Sequence, residues 1–213
     1  MLLAEEAPDP ATSEFARDLA AVEARPAGQV LLFGGHLLDR PDRPQPRFLP
    51  HLARPATEAI DREIERLAGP GTTAISGGAC GGDLLFAEAC LQRGIAVEIR
   101  IPLGITRFLE TSVAFAGEEW TERFCAVTCN PGVDLTCISD EVGPPPEEVN
   151  PYERANRWLV TSARGTARDR LDVLALWDGL PDERPGGVAY LVEIARPFAT
   201  SVEIISPHHL EPA

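Results

Sequence analysis

Residues 76–83, Ser-Gly-Gly-Ala-Cys-Gly-Gly-Asp, hold the densest potential chemistry in the chain, with Gly77, Gly78, Gly81 and Gly82 inside one short turn. Each glycine costs backbone entropy relative to alanine, so four together need a use. One use is backbone at positive φ; another is close approach of the backbone to a ligand. An apolar run ends at Ile75 and a helical pattern starts at Leu84, so the turn opens a helix. Unsatisfied N–H groups and the helix dipole favour an anion such as phosphate at such a place. The plain alternative is a tight turn that packs helix on sheet. Asp83 either caps the helix or contacts the ligand. Cys80 is either a thiol activated at a helix N-terminus or a small residue that fits the turn.

Two more glycine turns follow apolar runs. Residues 29–33 lead into Gly34-Gly35-His36, where a loop histidine can donate to phosphate or ribose. Residues 171–177 lead through Asp178-Gly179 and an acidic loop to Pro185-Gly186-Gly187, which opens another helix. Trp177 either flanks a base or packs in the core. Asn156 lies on the inward face expected for a helix over 152–163, where it bonds the sheet backbone or reaches the ligand. Arg40, Arg43 and Arg47 belong to a segment too rich in proline for regular structure. They form a phosphate lid or a solvated loop. Residues 38–50 are expected to lie over the ligand and to order when it binds.

These groups need a scaffold that brings the three turns together. Apolar runs alternating with helical periodicity predict strands near 29–33, 72–75, 96–102, 134–139, 171–177 and 202–206. Helices are expected over 55–68, 84–93, 106–130, 152–163 and 188–196, with Ala56, Ile60, Ile64 and Leu67 inward in the first. In 96–101, Val97, Ile99 and Ile101 alternate with Glu98 and Arg100, which suits a strand nearer the sheet edge. Glu153 and Arg157 read as a surface pair. The pattern predicts an α/β domain with a mainly parallel sheet of about six strands and helices on both faces. Ligands bind outside the carboxyl ends of such strands, where the strand order reverses. No turn matches G-x-G-x-x-G with its distant acid, nor G-x-x-x-x-G-K-[ST], which argues against standard NAD or ATPase sites.

The 213 residues carry a formal net charge of −14, which argues against coating nucleic acid because that affinity is largely phosphate neutralisation. No apolar run approaches a membrane span, and MLLAEEAPDP, without a basic start and an apolar stretch, is not expected to act as a secretory leader. The five cysteines form no C-x-x-C, so free thiols in a reducing compartment are expected, with no metal site and a cytoplasmic location. Residues 1–27 are expected to be a mobile segment with a short helix over 12–24, and 28–213 a single domain.

SGGACGGDLLFAEACLQRG, joined to the downstream WDG…PGGVAYLVEIAR, resembles the SLOG group of Rossmann-like domains across residues 28–206. That group includes the Lonely Guy (LOG) phosphoribohydrolases, the DprA/Smf DNA-processing proteins and predicted nucleotide-ligand sensors. FGGHLLDRPDRPQPRF is most similar to the sensor branch. The resemblance implies a three-layer Rossmann-like sandwich that binds a nucleotide or nucleotide-derived molecule without a further cofactor, as a homodimer or beside a partner signalling protein. The ligand contacts expected, from the residues and the resemblance together, are Gly34, Gly35 and His36; Gly77, Gly78, Ala79, Cys80, Gly81, Gly82 and Asp83; Trp177, Asp178 and Gly179; Gly186 and Gly187; and Arg47 and Asn156.

The LOG enzymes carry P-G-G-x-G-T-x-x-E, whose glutamate helps to cleave the N-glycosidic bond of a nucleoside 5′-monophosphate. Here Pro185, Gly186, Gly187 and Glu193 match, while Ala189 and Tyr190 replace the third glycine and the threonine. Arg154 matches an upstream arginine of those enzymes. The resemblance thus implies either a sensing module or, as the alternative, a phosphoribohydrolase with Glu193 and Arg154 as catalytic residues. DprA-like single-strand binding is disfavoured by the −14 charge.

Overall fold

Gln29-Val-Leu-Leu-Phe-Gly-Gly is apolar at nearly every position because both faces of the strand it forms are covered. The computed structural model describes residues 28–181 and 185–210. The expected helix over 12–24 therefore lies outside the described residues, as do parts of the acidic loop.

Six strands form one sheet: β1 (Gln29–Gly35), β2 (Thr73–Ser76), β3 (Ala96–Ile101), β4 (Val133–Cys137), β5 (Arg170–Leu176) and β6 (Ser201–Ile205). All pairings are parallel, in the order β4-β3-β2-β1-β5-β6. The helices are α1 (Ala53–Leu67), α2 (Gly82–Gln92), α3 (Ile105–Ser112), α4 (Glu118–Thr128), α5 (Ile138–Val142), α6 (Pro151–Thr166) and α7 (Val188–Ala195). This is the α/β Rossmann-like arrangement that the alternating pattern predicts.

Strand alternation sorts the core into two layers. Leu31 and Phe33 of β1 face Ile60 and Ile64 of α1 and Leu84 and Phe86 of α2, where Phe33 and Phe86 stack at 4.5 Å. Val30 and Leu32 face Leu159 and Val160 of α6 and Leu191 of α7. Burying a large aliphatic or aromatic side chain contributes about 1.5–3 kcal/mol, so these two layers hold the sheet between its helices.

Three expectations change. Gly34 and Gly35 are not a turn: they pair with Ala175 and Leu176 as the last residues of β1. Glycine is needed there because a Cβ on Gly35 would stand 2.7 Å from the Cα of Gly82, so β1 and the start of α2 meet backbone to backbone. The pattern over 106–130 forms two helices, α3 and α4, divided at Gly117 (φ 111°). Arg157 donates from Nε to the Tyr190 hydroxyl at 2.6 Å, so its main partner is Tyr190 rather than Glu153.

Strand order reverses at β1: β2, β3 and β4 extend to one side, and β5 and β6 to the other. The carboxyl ends of β2, β1 and β5 are therefore adjacent, and the glycine segments that end or follow them share one edge.

Candidate functional site

The turn after β2 is tied to its neighbours at almost every step. Asp83 does not cap α2; the cap position is Gly81 (φ 96°), and Asp83 lies in the first turn. Its Oδ1 accepts the N–H of Gly35 at 3.0 Å and its Oδ2 accepts that of Ala79 at 3.2 Å, so it joins β1 to the turn. Burial pushes the Asp83 carboxyl up to about 7, against the pull of the Ala79 and Gly35 N–H groups, which favour the anion. The N–H of Gly82 reaches the His36 carbonyl at 3.0 Å, and that of Cys80 reaches the Ser112 carbonyl at 3.0 Å.

The donors of Ala79, Cys80 and Gly82 are thus used inside the protein. By contrast, the N–H groups of Gly78 (φ 73°) and Gly81 make no hydrogen bond among the described residues, although both residues are buried. Just before them, the Ser76 Oγ is buried without a hydrogen-bond partner among the described residues. Native proteins leave few such groups unpaired, so three within six residues mark a place where polar chemistry is concentrated.

Cys80 is fully buried, and burial pushes its thiol up to about 12. An activated thiolate is therefore not its state; it is the small residue that fits the turn.

The ends of β1 and β5 meet through His36 and Asp178. The His36 Nε2 lies 3.2 Å from the backbone N of Asp178 and 3.1 Å from its Oδ1. A neutral imidazole accepts that N–H, whereas a protonated one pairs with the carboxylate. Burial pushes the Asp178 carboxyl up, but the Leu180 N–H, His36 and Arg47 outweigh this and hold it below the usual carboxylate value. Trp177 donates from Nε1 to the Leu180 carbonyl at 2.8 Å, which folds the Asp178-Gly179 turn under its ring.

Arg47 crosses from the proline-rich loop to the same place: its Nε is 3.4 Å from the Asp178 Oδ2, and its Nη2 donates to the Pro181 carbonyl at 2.7 Å. The loop is closed on itself by Asp39, whose Oδ2 accepts the N–H groups of Arg47 at 2.7 Å and Phe48 at 2.6 Å. Arg43 pairs with Asp39, and Arg40 lies over the Phe115 ring at 4.0 Å. The loop is thus held by contacts of its own.

The third glycine segment rests on α6. Asn156 donates from Nδ2 to the carbonyls of Gly186 at 2.9 Å and Gly187 at 3.0 Å. Gly186 (φ 85°) approaches α6 so closely that a Cβ there would stand 2.5 Å from the backbone of Tyr152 and Glu153. The Tyr152 hydroxyl in turn lies 3.2 Å from Thr111 Oγ1 and 3.3 Å from Ser112 Oγ. Tyr152 and Ser112 therefore link the Gly186 segment to the turn at Cys80.

Ser76, Asp39, Tyr152 and Ser112 were not evident from the sequence. Only Ser76, a polar residue ending an apolar run at a glycine turn, carried a local signal.

Glu193 lies on the exposed side of α7, and Arg154 donates from Nη1 to the Gly143 carbonyl at 2.8 Å. A separate open groove of about 590 Å³ is lined by residues including Pro50, His51, Arg54, Glu119 and Arg123 of the α1–α4 side. It contains none of the glycine-turn residues, so volume and chemistry point to different places. The unpaired donors favour the glycine turn, because the groove's arginines are already paired with Glu58 and Glu88.

No family model matches the sequence, and no curated protein does. Solved structures do resemble it. DNA processing protein A (DprA) from Streptococcus pneumoniae is 16% identical with a TM-score of 0.36, over 86% of this chain and 62% of that one. The Moco carrier protein from Chlamydomonas reinhardtii is 12% identical with a TM-score of 0.34, over 85% of this chain and 91% of that one. SuiB from Streptococcus suis, bound to S-adenosylmethionine, is 10% identical with a TM-score of 0.30, over 95% and 45%. This chain therefore spans less than two thirds of the DprA and SuiB structures. With scores this low, the fold assignment rests on the strand order and register themselves. No helix among the described residues is long and apolar enough to cross a membrane.

Proposed function

We propose that the protein binds a nucleotide or nucleotide-derived small molecule where β2, β1 and β5 end, and that it acts as a sensing module of the SLOG type. The observation that carries this reading is the trio of unpaired groups at the opening of α2: the N–H groups of Gly78 and Gly81 and the Ser76 Oγ. Two N–H donors at a helix N-terminus suit a phosphate oxygen. On this reading His36, Asp178, Gly179 and Trp177 border the ribose or base, and Asn156 fixes Gly186 and Gly187 opposite. Arg47 and Asp39 shape the rim.

The reading treats residues 28–213 as one domain in the cytoplasm, its five cysteines being free thiols, and has it signal through a second copy or a partner protein. Binding without hydrolysis is the better account of the α7 segment. Glu193 is exposed and Arg154 is engaged with Gly143, whereas an oxocarbenium-like centre needs a carboxylate held against the ribose. Tyr190 adds bulk where LOG-like enzymes keep a small residue.

Thermal shift against mono-, di- and cyclic nucleotides and ADP-ribose tests the reading. A saturable rise in melting temperature with at least one of them, lost in Asn156→Asp, is expected. A flat response across the whole panel contradicts it.

A further inference from the structure

Asp83 is a buried carboxylate whose partners are two backbone N–H groups, from Gly35 and Ala79. Among the described residues no arginine or histidine pairs with it. One of those partners, Ala79, lies between Gly78 and Gly81, whose N–H groups are unpaired. By covalent reach, an anion held on the Gly78 N–H comes within about 10 Å of this carboxylate. Two negative charges that close, away from water, oppose each other strongly.

We propose that anion binding at the glycine turn is coupled to the uptake of one proton by Asp83. The inference rests on the anion-binding reading above and specifies how that site is regulated. The proton comes from solvent and converts the carboxylate to the neutral acid, which removes the repulsion. Placed on Oδ2, it also turns an acceptor into a donor. The Ala79 N–H, held at the longer of the two distances, is then released to join those of Gly78 and Gly81 around the same anion. Gly35 keeps its bond to Oδ1, so β1 stays joined to the turn. Because burial places the Asp83 carboxyl at about 7, the change falls in the neutral range.

Other groups nearby do not supply the same response. The Cys80 thiol is pushed up to about 12 and stays neutral, with Arg40 acting on it at longer range. From β3 the turn meets Ile99, and from α3 the Ser112 carbonyl, which accepts the Cys80 N–H. Asp178, held below the usual carboxylate value, pairs with Arg47. His36 meets the turn through its carbonyl, which accepts the Gly82 N–H.

Sulfate is the probe, because it keeps its double charge across the neutral range and so does not itself titrate. Amide NMR shifts of Gly78 and Gly81 give its affinity at about pH 6 and about pH 8. The expected affinity is about 10-fold lower at the higher pH in the unmodified chain and equal at the two in Asp83→Asn. Equal affinity in the unmodified chain overturns the coupling. A pH dependence that survives in Asp83→Asn also overturns it. If neither amide shifts at either pH, the anion-binding reading itself fails and the coupling with it. Should Asp83→Asn not fold, the carboxyl-carbon titration of Asp83 in the unmodified chain decides: its midpoint rises with sulfate, and an unmoved midpoint overturns the proposal.

Discussion

The Asp83 side chain, in the first turn of α2, accepts the backbone N–H of Gly35, the last residue of β1, at 3.0 Å. Gly35 and Gly82 make this possible, since any side chain on either would force the helix away from the strand. One carboxylate therefore sets the spacing between two of the three glycine segments. Its burial also gives stability a pH dependence. The folded value of about 7 lies above the ordinary 3.8, so the contribution is fully present below about pH 4 and is lost as pH rises through about 7. Asp83→Asn should remove about 2–3 kcal/mol of the stability that the unmodified chain loses between about pH 5 and pH 8. Urea unfolding at both values checks this, and identical pH slopes in the two proteins contradict it.

Gly78 combines a φ of 73° with a neighbour, the Ile99 Cγ2, that would stand 2.6 Å from an added Cβ. Gly94 has nearly the same φ, 71°, with nothing within 4 Å. Gly94→Ala should cost about 1–2 kcal/mol from conformation alone, and Gly78→Ala clearly more. Thermal melts of the two variants separate strain from collision, and equal losses would show that Ile99 moves aside. Valine at Gly78 is for the same reason a change in stability before it is a change in ligand contact.

Asp39 holds the proline-rich loop through the N–H groups of Arg47 and Phe48. Replacing it by alanine leaves both donors unpaired and should cost about 2–4 kcal/mol locally. Trypsin reports this at Arg47, because Arg40 and Arg43 each precede a proline and resist cleavage. Asp39→Ala should be cut after Arg47 much faster than the unmodified chain. Unchanged cutting would mean that Arg47's contacts with Asp178 and Pro181 hold the loop alone.

Much of the scaffold was legible because its signals are local. Period-2 alternation in β3 and the apolar runs of β1 and β5 follow from which faces are covered, and α1 buries the residues its periodicity selects. The end of β1 was misread because glycine signals a turn in isolation, whereas here it admits a helix. What was missed has non-local causes: Tyr152 meets Thr111 across 41 positions, and the Asp83 bond to Gly35 spans 48. Glycine density likewise mixed two origins. Gly35, Gly82 and Gly186 serve close packing, while Gly78 and Gly81 also present free donors.

The exposed Glu193 predicts that AMP, GMP, CMP and UMP are bound without release of free base. Chromatography of the incubated nucleotides, with Glu193→Gln as control, checks this. Turnover on the usual enzymatic scale of roughly 1–1000 per second, abolished in that control, would establish hydrolysis instead.

The most direct measurement is an amide NMR map of the protein titrated with ADP-ribose, which presents phosphate, ribose and base together. The account predicts saturable shifts centred on Gly78 and Gly81, extending to Ser76, His36 and Asp178. Shifts confined to the groove of Pro50, His51, Arg54 and Arg123, with Gly78 and Gly81 unmoved, would contradict it.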